Sequence, residues 1–479
     1  MRYLLFALLM LMAQSMLAQE RTWLLYNVKI IQVTDGKMAN GDAVLMEGSA
    51  IKAIGKYNTL RGNAPITQQV DGHGNYIIPG LWDMHIHLEG KELVEDNRAL
   101  LPVFLAYGIT SVRDCASDLG EQVLAWREEI KQGKLAGPNI FTAGRKLEGK
   151  NSIWKDDIEI ENEVELKEAL DKLDQYKVDF VKITENTLNG DLFLKSVRGA
   201  KARGYRVSGH VPIDVAIQEL ADAGYTSVEH ASYLLRYGSD EQQIATDLRA
   251  GRITRAQADA GYASFDQAKA IEGYKRFAKT GMFVCPTLIG GRQLAYLDVT
   301  NHSQDPALTW LTVKFTANYQ WRIQRMSGDT PEQKQQRKDR YQLLLKQLPL
   351  MQTAGIKFIA GSDAAALNTY VYPAESLIQE LEIFEEAGLK PLQILQSATM
   401  AGPAYFNLNQ KTGTIEANKT ADLVLLEQNP LEHINALRSI RGVVSRGTYY
   451  DRKKLDEMIA SAQEIKKQLD ASRSPQKEK

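Results

Sequence analysis

Along the middle of the chain, short apolar runs alternate with longer stretches of helical period, and five of the runs are entered through a glycine. These are Gly108-Ile109-Thr110-Ser111-Val112-Arg113, Gly204-Tyr205-Arg206-Val207-Ser208-Gly209-His210, Gly224-Tyr225-Thr226-Ser227-Val228-Glu229-His230, Gly281-Met282-Phe283-Val284-Cys285 and Gly355-Ile356-Lys357-Phe358-Ile359-Ala360-Gly361. Glycine just past a helix is the usual left-handed stop, so each marks a helix-to-strand turn. Adding residues 81–87, 139–143 and 178–183 brings the strands to eight. Strand and helix alternating eight times predict an α/β fold, a closed parallel (β/α)8 TIM-like barrel with right-handed crossovers. Towards both chain ends the pattern shortens to strands broken by turns, over 22–31, 42–46 and 51–54 and again over 413–415, 421–426 and 442–449. Two β segments flanking a long middle predict one discontinuous domain. Two charged segments of helical pattern, 238–280 and 290–353, interrupt the rhythm and read either as lids or pocket walls at the barrel rim or as solvated decoration.

In such a barrel the chemistry gathers at the carboxyl ends of the strands. The first run ends in His85-Ile86-His87, and residues two apart on a strand project to one face, so both imidazoles reach one ion. The fourth run carries Lys182, the fifth and sixth end in His210 and His230, and the eighth runs into Ser362-Asp363. His73, His302 and His433 sit in polar surroundings and read as non-ligands. Nitrogen and carboxylate ligands arriving from several directions suit two divalent ions, with zinc the expected metal. His85 and His87 would hold one ion, His210 and His230 the other, and Asp363 would complete the first site. A protonated ammonium beside two cations is repelled, so Lys182 is expected to be neutral or carboxylated to a carbamate that bridges both ions. The plainer alternative is a lysine paired with an acid such as Asp179. Tyr233 is a candidate to hydrogen-bond the substrate carbonyl oxygen, against simple packing. Arg113 and Arg145, at or just past strand ends, are candidates to receive a substrate carboxylate, against structural ion pairing. Asp83 and Glu229, neighbours of ligands assigned to the opposite strand face, read as support.

Seven segments then fall in one order: Pro79-Gly80-Leu81-Trp82-Asp83-Met84-His85-Ile86-His87, Gly108 to Asp114, Val181-Lys182-Ile183, Gly209-His210-Val211-Pro212, Val228-Glu229-His230, Ala360-Gly361-Ser362-Asp363 and Ala421-Asp422-Leu423-Val424-Leu425. On these motifs the chain resembles the amidohydrolase superfamily, in its imidazolonepropionase-like and metal-dependent Xaa-Pro or Xaa-Arg/Lys dipeptidase-like branch, across residues 22–450. The resemblance implies a small β-sandwich built from both chain ends, two zinc ions bridged by a carboxylated lysine, and hydrolysis of amide or similar C–N bonds. The expected organisation is 1–19 signal peptide, 20–78 first sandwich part, 79–405 barrel, 406–450 second sandwich part and 451–479 C-terminal helix and tail. After Lys182 the chain continues Ile183-Thr184-Glu185-Asn186, where dipeptidase-like members carry a glycine-rich segment.

Basic and acidic residues nearly balance, 58 against 59, which gives no reason to expect nucleic acid as a partner. Arg2, the apolar run over 4–12 and the small or polar residues near Ser15 and Ala18 have the layout of a secretory signal. That run is shorter than the roughly 20 residues that span a bilayer. Cleavage near Ala18 and export to the periplasm or beyond are expected, with no membrane anchor afterwards. Cys115 and Cys285 are expected to be buried free thiols, although an exported protein could join them. The partner is a small-molecule substrate, and a homo-oligomer is open. Three functions follow. The first is a hydrolase of a dipeptide or N-acyl amino acid, in which a hydroxide between the metals attacks and Asp363 carries the proton. The second is a hydrolase of a cyclic amide or amidine, and the third a non-catalytic metal-binding protein on the same scaffold.

Overall fold

A computed structural model describes residues 22–62, 65–154 and 156–474; the expected signal peptide lies outside them. At its centre are eight parallel strands, numbered here in chain order: β1 (Leu81–Ile86), β2 (Ile109–Asp114), β3 (Asn139–Thr142), β4 (Val181–Ile183), β5 (Val207–Gly209), β6 (Ser227–Glu229), β7 (Phe283–Cys285) and β8 (Lys357–Phe358). One arc pairs β1 with β2 and β2 with β3, and a second runs from β4 to β8. Backbone hydrogen bonds join the arcs at both ends. Asp179 N donates to Thr142 O at 2.9 Å beside β3 and β4, and Met84 N donates to Ala360 O at 2.8 Å beside β1 and β8. The ring is a closed barrel. The five helix-to-strand glycines, Gly108, Gly204, Gly224, Gly281 and Gly355, all have φ between 74° and 103°, left-handed backbone that glycine enters without a Cβ penalty.

Two parts of the middle differ from the sequence pattern. The third strand resumes past a break as Leu147–Gly149, which pairs with Ile158–Ile160 and with the end of β4. These strands are too short and too polar for periodicity to reveal them. Segment 238–280 is not wholly a rim insertion: helix Gln267–Thr280 buries Ala270, Tyr274 and Phe277, an apolar stripe at helical spacing, and is the barrel's own helix between β6 and β7. Segment 290–353 does reach the rim, through helices Tyr319–Met326 and Pro331–Thr353.

The chain ends form two sheets. One has four strands, Ala50–Gly55, Ala43–Glu47, Thr22–Tyr26 and Gln68–Asp71; the other has six, Thr448–Asp451, Ile440–Ser445, Leu423–Leu426, Tyr76–Pro79, Lys29–Gln32 and Lys37–Met38. Trp23, Leu25, Val44, Ile77, Leu423 and Val444 pack together between them. Leu423–Leu426 runs antiparallel to Tyr76–Pro79, so the late chain holds the segment that leads into β1. Only Gly80 separates that segment from β1, and a Cβ on it would lie 2.1 Å from Thr110 Oγ1. Helix Arg452–Arg473 returns over the barrel, where Arg473 pairs with buried Asp96 at 2.7 Å. Cys115 and Cys285 are buried free thiols. No helix among the described residues is long and apolar enough to cross a membrane.

Candidate metal centre

The carboxyl ends of the barrel strands open into a cavity of about 260 Å3 whose lining includes His85, His87, Lys182, His210, His230 and Asp363. All of the ligand-type residues expected from the sequence therefore face one space. Asp363 Oδ1 lies 3.3 Å from His85 Nε2 and 3.3 Å from His87 Nε2, while Oδ2 lies 4.0 Å from His230 Nδ1. His85, His230 and Asp363 each offer a donor atom within 4.8 Å of the others. Short strands and sharp exits make this possible, because His230 and Asp363 take left-handed backbone at φ 74° and 61° directly after β6 and β8. Such conformations cost about 1–2 kcal/mol in a non-glycine residue and persist where surrounding structure imposes them.

Each imidazole is oriented through Nδ1. His85 Nδ1 donates to Glu229 Oε2 at 2.9 Å, and His87 Nδ1 donates to the Ala116 carbonyl at 3.0 Å. His210 Nδ1 donates to Glu185 Oε2 at 2.7 Å. His230 Nδ1 lies 2.6 Å from Thr287 Oγ1, and that hydroxyl donates to Pro286 O at 2.8 Å, which leaves its oxygen to accept from Nδ1. With the proton on Nδ1, the neutral form of each ring leaves a bare lone pair on Nε2. Two of these, on His210 and His230, face each other at 3.2 Å. A pair of acceptors that close repel unless a cation or a shared proton lies between them. Buried His85 Nε2 and Lys182 Nζ also lack a hydrogen-bond partner among the described residues. The donor set thus fits a metal: neutral imidazoles fixed by acceptors behind them, a carboxylate, and an unpaired lysine on a long arm.

The electrostatics follow from burial. Burial first, then Lys182, lowers His85 to about 4, and burial holds His230 well below the ordinary histidine range. Burial also pulls on His87, but Asp363 outweighs it and leaves that ring above its usual value. Burial opposes ionisation of Asp363, yet His85 and His87 keep it well below the usual carboxylate range. Beneath the site, burial pushes Asp83 up to about 7, against hydrogen bonds from the Ser362 hydroxyl and N–H and from His85 N–H.

Several residues take other places than the sequence suggested. Arg113 is fully buried below the cavity: Nη2 donates to Glu229 Oε1 and Oε2 at 2.8 and 2.7 Å, and Nε donates to Met84 O at 2.5 Å. It therefore does not receive a substrate; the interior direction of its side chain could not be read from a position near a strand end. Arg145 does not line this cavity but an adjoining one of about 250 Å3, where it meets Asp156 at 3.4 Å. Glu229 and Asp83 do not face away from the ligands but bond to His85 inside the barrel. Tyr233 packs against the His210 and His230 rings, and its hydroxyl donates to Glu185 Oε1 at 2.8 Å. Glu185, missed as a functional residue, thus links Tyr233 to His210; burial opposes its charge, but His210 and Tyr233 hold it at about 2. Glu148 was missed as well. Its carboxylate accepts from Asn186 N, Asn186 Nδ2, Thr187 N and Leu188 N, folding the loop that carries Glu185. The one sequence signal was a carboxylate immediately after the lysine strand. Thr287 and Arg322, which also line the cavity, carried none.

A closed α/β barrel that brings imidazoles, a lysine and a carboxylate to one cavity at the carboxyl rim defines a hydrolase-type barrel enzyme. The chain belongs to the amidohydrolase family, whose model, described as "Amidohydrolase family", matches residues 76–449. Among relatives, an adenine deaminase of Staphylothermus marinus is 33% identical over 87 residues, 18% of this chain and 14% of that enzyme. Among solved structures, a Xaa-Pro dipeptidase with bound methionine in the active site superposes with a TM-score of 0.64 at 20% identity, over 90% of this chain and 100% of that one. A bottromycin amidohydrolase superposes with a TM-score of 0.69 at 19% identity, over 93% and 91%. At that identity the two superpositions show a shared fold.

Proposed function

We propose that this chain is an exported metal-dependent amidohydrolase that cleaves a C–N bond in a small substrate, with Asp363 as the proton shuttle. The observation that carries the reading is the set of imidazoles held from behind, with bare Nε2 atoms turned to the space that Asp363 and Lys182 share. His85, His87 and Asp363 would hold one zinc ion and His210 and His230 the other. Lys182 Nζ, buried and unpaired, would as its carbamate add a carboxylate to that ligand set. When bound, such ions polarise a carbonyl and lower the pKa of water towards about 7.

The chain's own groups do the rest. Asp363 accepts the proton released as the water oxygen bonds to the carbonyl carbon, then delivers it to the leaving nitrogen as the C–N bond breaks. Tyr233 stands beside His210 and His230, but its one hydroxyl proton is committed to Glu185, so it steadies the carboxylate that orients His210 rather than reaching a substrate carbonyl. The cavity volume of about 260 Å3 suits a dipeptide or N-acyl amino acid rather than a long chain. The amide-cleaving names of fold neighbours support this substrate class, and the arrangement of residues 1–19 supports export. A second reading, hydrolysis at a ring amidine, is favoured by the short stretch shared with adenine deaminase.

The test is elemental analysis of purified protein together with turnover of dipeptide, N-acyl amino acid and cyclic amidine panels, before and after chelation. Two zinc per chain and chelator-sensitive cleavage of linear amides are expected; activity confined to rings selects the second reading. Asp363→Asn is expected to retain metal and lose roughly 100- to 10,000-fold in kcat. Near-normal turnover by that metal-loaded variant would overturn the proton assignment.

A further inference from the structure

The segment between β7 and β8 roofs the metal cavity, and the roof brings a cation with it. Helix Tyr319–Met326 is anchored by Tyr319, which is 2% exposed. Its ring packs edge-on against Tyr370 with centroids 5.4 Å apart, and its carbonyl accepts from the Thr369 hydroxyl at 3.1 Å. Thr369 and Tyr370 belong to the loop that starts at Asp363, and Asn368 Nδ2 of the same loop donates to Asp363 O at 2.7 Å. Roof and carboxylate therefore form one mechanical unit. Three residues beyond Tyr319, Arg322 lines the cavity with His87, Lys182 and Asp363.

Arg322 differs from the cations around it. In the adjoining cavity Arg145 meets Asp156 at 3.4 Å and Lys146 meets Asp157 at 3.3 Å. Beyond a cation–π contact with the Trp321 ring at 5.9 Å, Arg322 forms no ion pair or hydrogen bond among the described residues, although it is largely withdrawn from water. A guanidinium offers five donors in a rigid fork, and holding it unpaired in a cavity is unfavourable unless an anion arrives. A planar carboxylate matches that fork with two parallel hydrogen bonds. A substrate that carries a free carboxylate also poses a problem of register. Without a separate receptor, its carboxylate competes with the scissile carbonyl for the cationic end of the cavity.

We propose that Arg322 receives the substrate's carboxylate and is the specificity-determining residue that selects dipeptides or N-acyl amino acids over neutral amides and rings. The proposal rests on the amide-hydrolase reading of the metal cavity and narrows it. Arg322 takes the role that the buried Arg113 and the paired Arg145 do not fill.

The experiment compares a panel of N-acetyl-L-amino acids and L,L-dipeptides with their C-terminal carboxamides, for the zinc-loaded wild type, Arg322→Gln and Arg322→Lys. The wild type is expected to prefer the free carboxylates by roughly 10- to 100-fold in kcat/KM. In Arg322→Gln that ratio is expected to collapse towards about one, mainly through a higher KM, and Arg322→Lys is expected to restore part of it. Zinc content and Tm verify that each variant is folded and loaded. A wild type that cleaves carboxamides as well as carboxylates overturns the proposal without needing a variant, and so does an unchanged ratio in Arg322→Gln. In both cases the amidohydrolase reading stands, because linear amides are still cleaved. Wild-type protein that holds zinc but cleaves neither series, or cleaves only neutral rings, overturns both.

Discussion

Glu229 serves two groups with one carboxylate: the Arg113 fork on one side and the His85 ring on the other, all three with less than 2% exposure. Burial works against its charge, yet Arg113 and His85 keep it well below the usual carboxylate range. Glu229→Gln preserves the volume but leaves Arg113 without a counter-charge, which is expected to cost roughly 3–5 kcal/mol of stability. It also leaves one uncharged acceptor oxygen for Arg113, Ser227 and His85 Nδ1 to share, and the weaker support of the ring is expected to weaken metal binding roughly 10- to 100-fold. Denaturant unfolding and a zinc-competition titration separate the two effects; wild-type values in both would mean that neither group depends on this carboxylate. At Gly361, an added Cβ would lie 2.6 Å from Cys285 Sγ and 2.7 Å from His85 N. Gly361→Ala is therefore expected to push β8 away from β1 and lower zinc content, and crystallography of the variant with unmoved His85 would contradict this. At this scale the sequence displayed the side chains that are chemically conspicuous. Histidines at the ends of apolar runs stand out, whereas Glu185 and Arg322 acquire their surroundings only when distant loops meet.

The elements were legible where one physical signal punctuated them. Left-handed glycines ended the helices before β2, β5, β6, β7 and β8, and each of those strands begins within three residues of its glycine. The pair Leu147–Gly149 and Ile158–Ile160 carried no such mark, since three-residue strands show no period. Helix Gln267–Thr280 was hidden because its buried stripe lies among seven charged or polar positions, so it resembled decoration. The short helix Ile217–Ala223 offers a pH test. Its first N–H, on Ile217, donates to Glu241 Oε1 at 2.7 Å, and burial raises the Glu241 carboxyl to about 7. An acid whose folded pKa lies above its unfolded value binds more protons when folded. Stability is therefore lost as pH rises from about 4.5 to about 7 and stays lower above that window. Glu241→Gln keeps an acceptor for Ile217 N without a titrating proton, and is expected to flatten this slope and gain roughly 1–3 kcal/mol at pH 8. Denaturant unfolding of both proteins at pH 5 and pH 8 measures it; parallel pH profiles would contradict the assignment.

Across the whole molecule, the residues facing the metal cavity come from β1, β4, β5, β6 and the exit of β8, so anything bound there ties together opposite sides of the ring. A ligand that binds only the folded state at a hundred times its Kd adds about 2.7 kcal/mol. Stripping the metal is accordingly expected to lower Tm by roughly 5 °C, with recovery on adding zinc. An apo protein that unfolds at the holo temperature would show that the ring is organised without the ions. The antiparallel pairing of Leu423–Leu426 with Tyr76–Pro79 carries a further consequence, for synthesis. During translation the histidine-bearing strand emerges early, but the edge that clamps the residues before it is made more than 340 residues later, since Leu423 pairs with Pro79. Nascent chains stalled upstream of Leu423 must therefore expose the apolar side of Tyr76–Pro79, which makes that stretch the natural foothold for a chaperone.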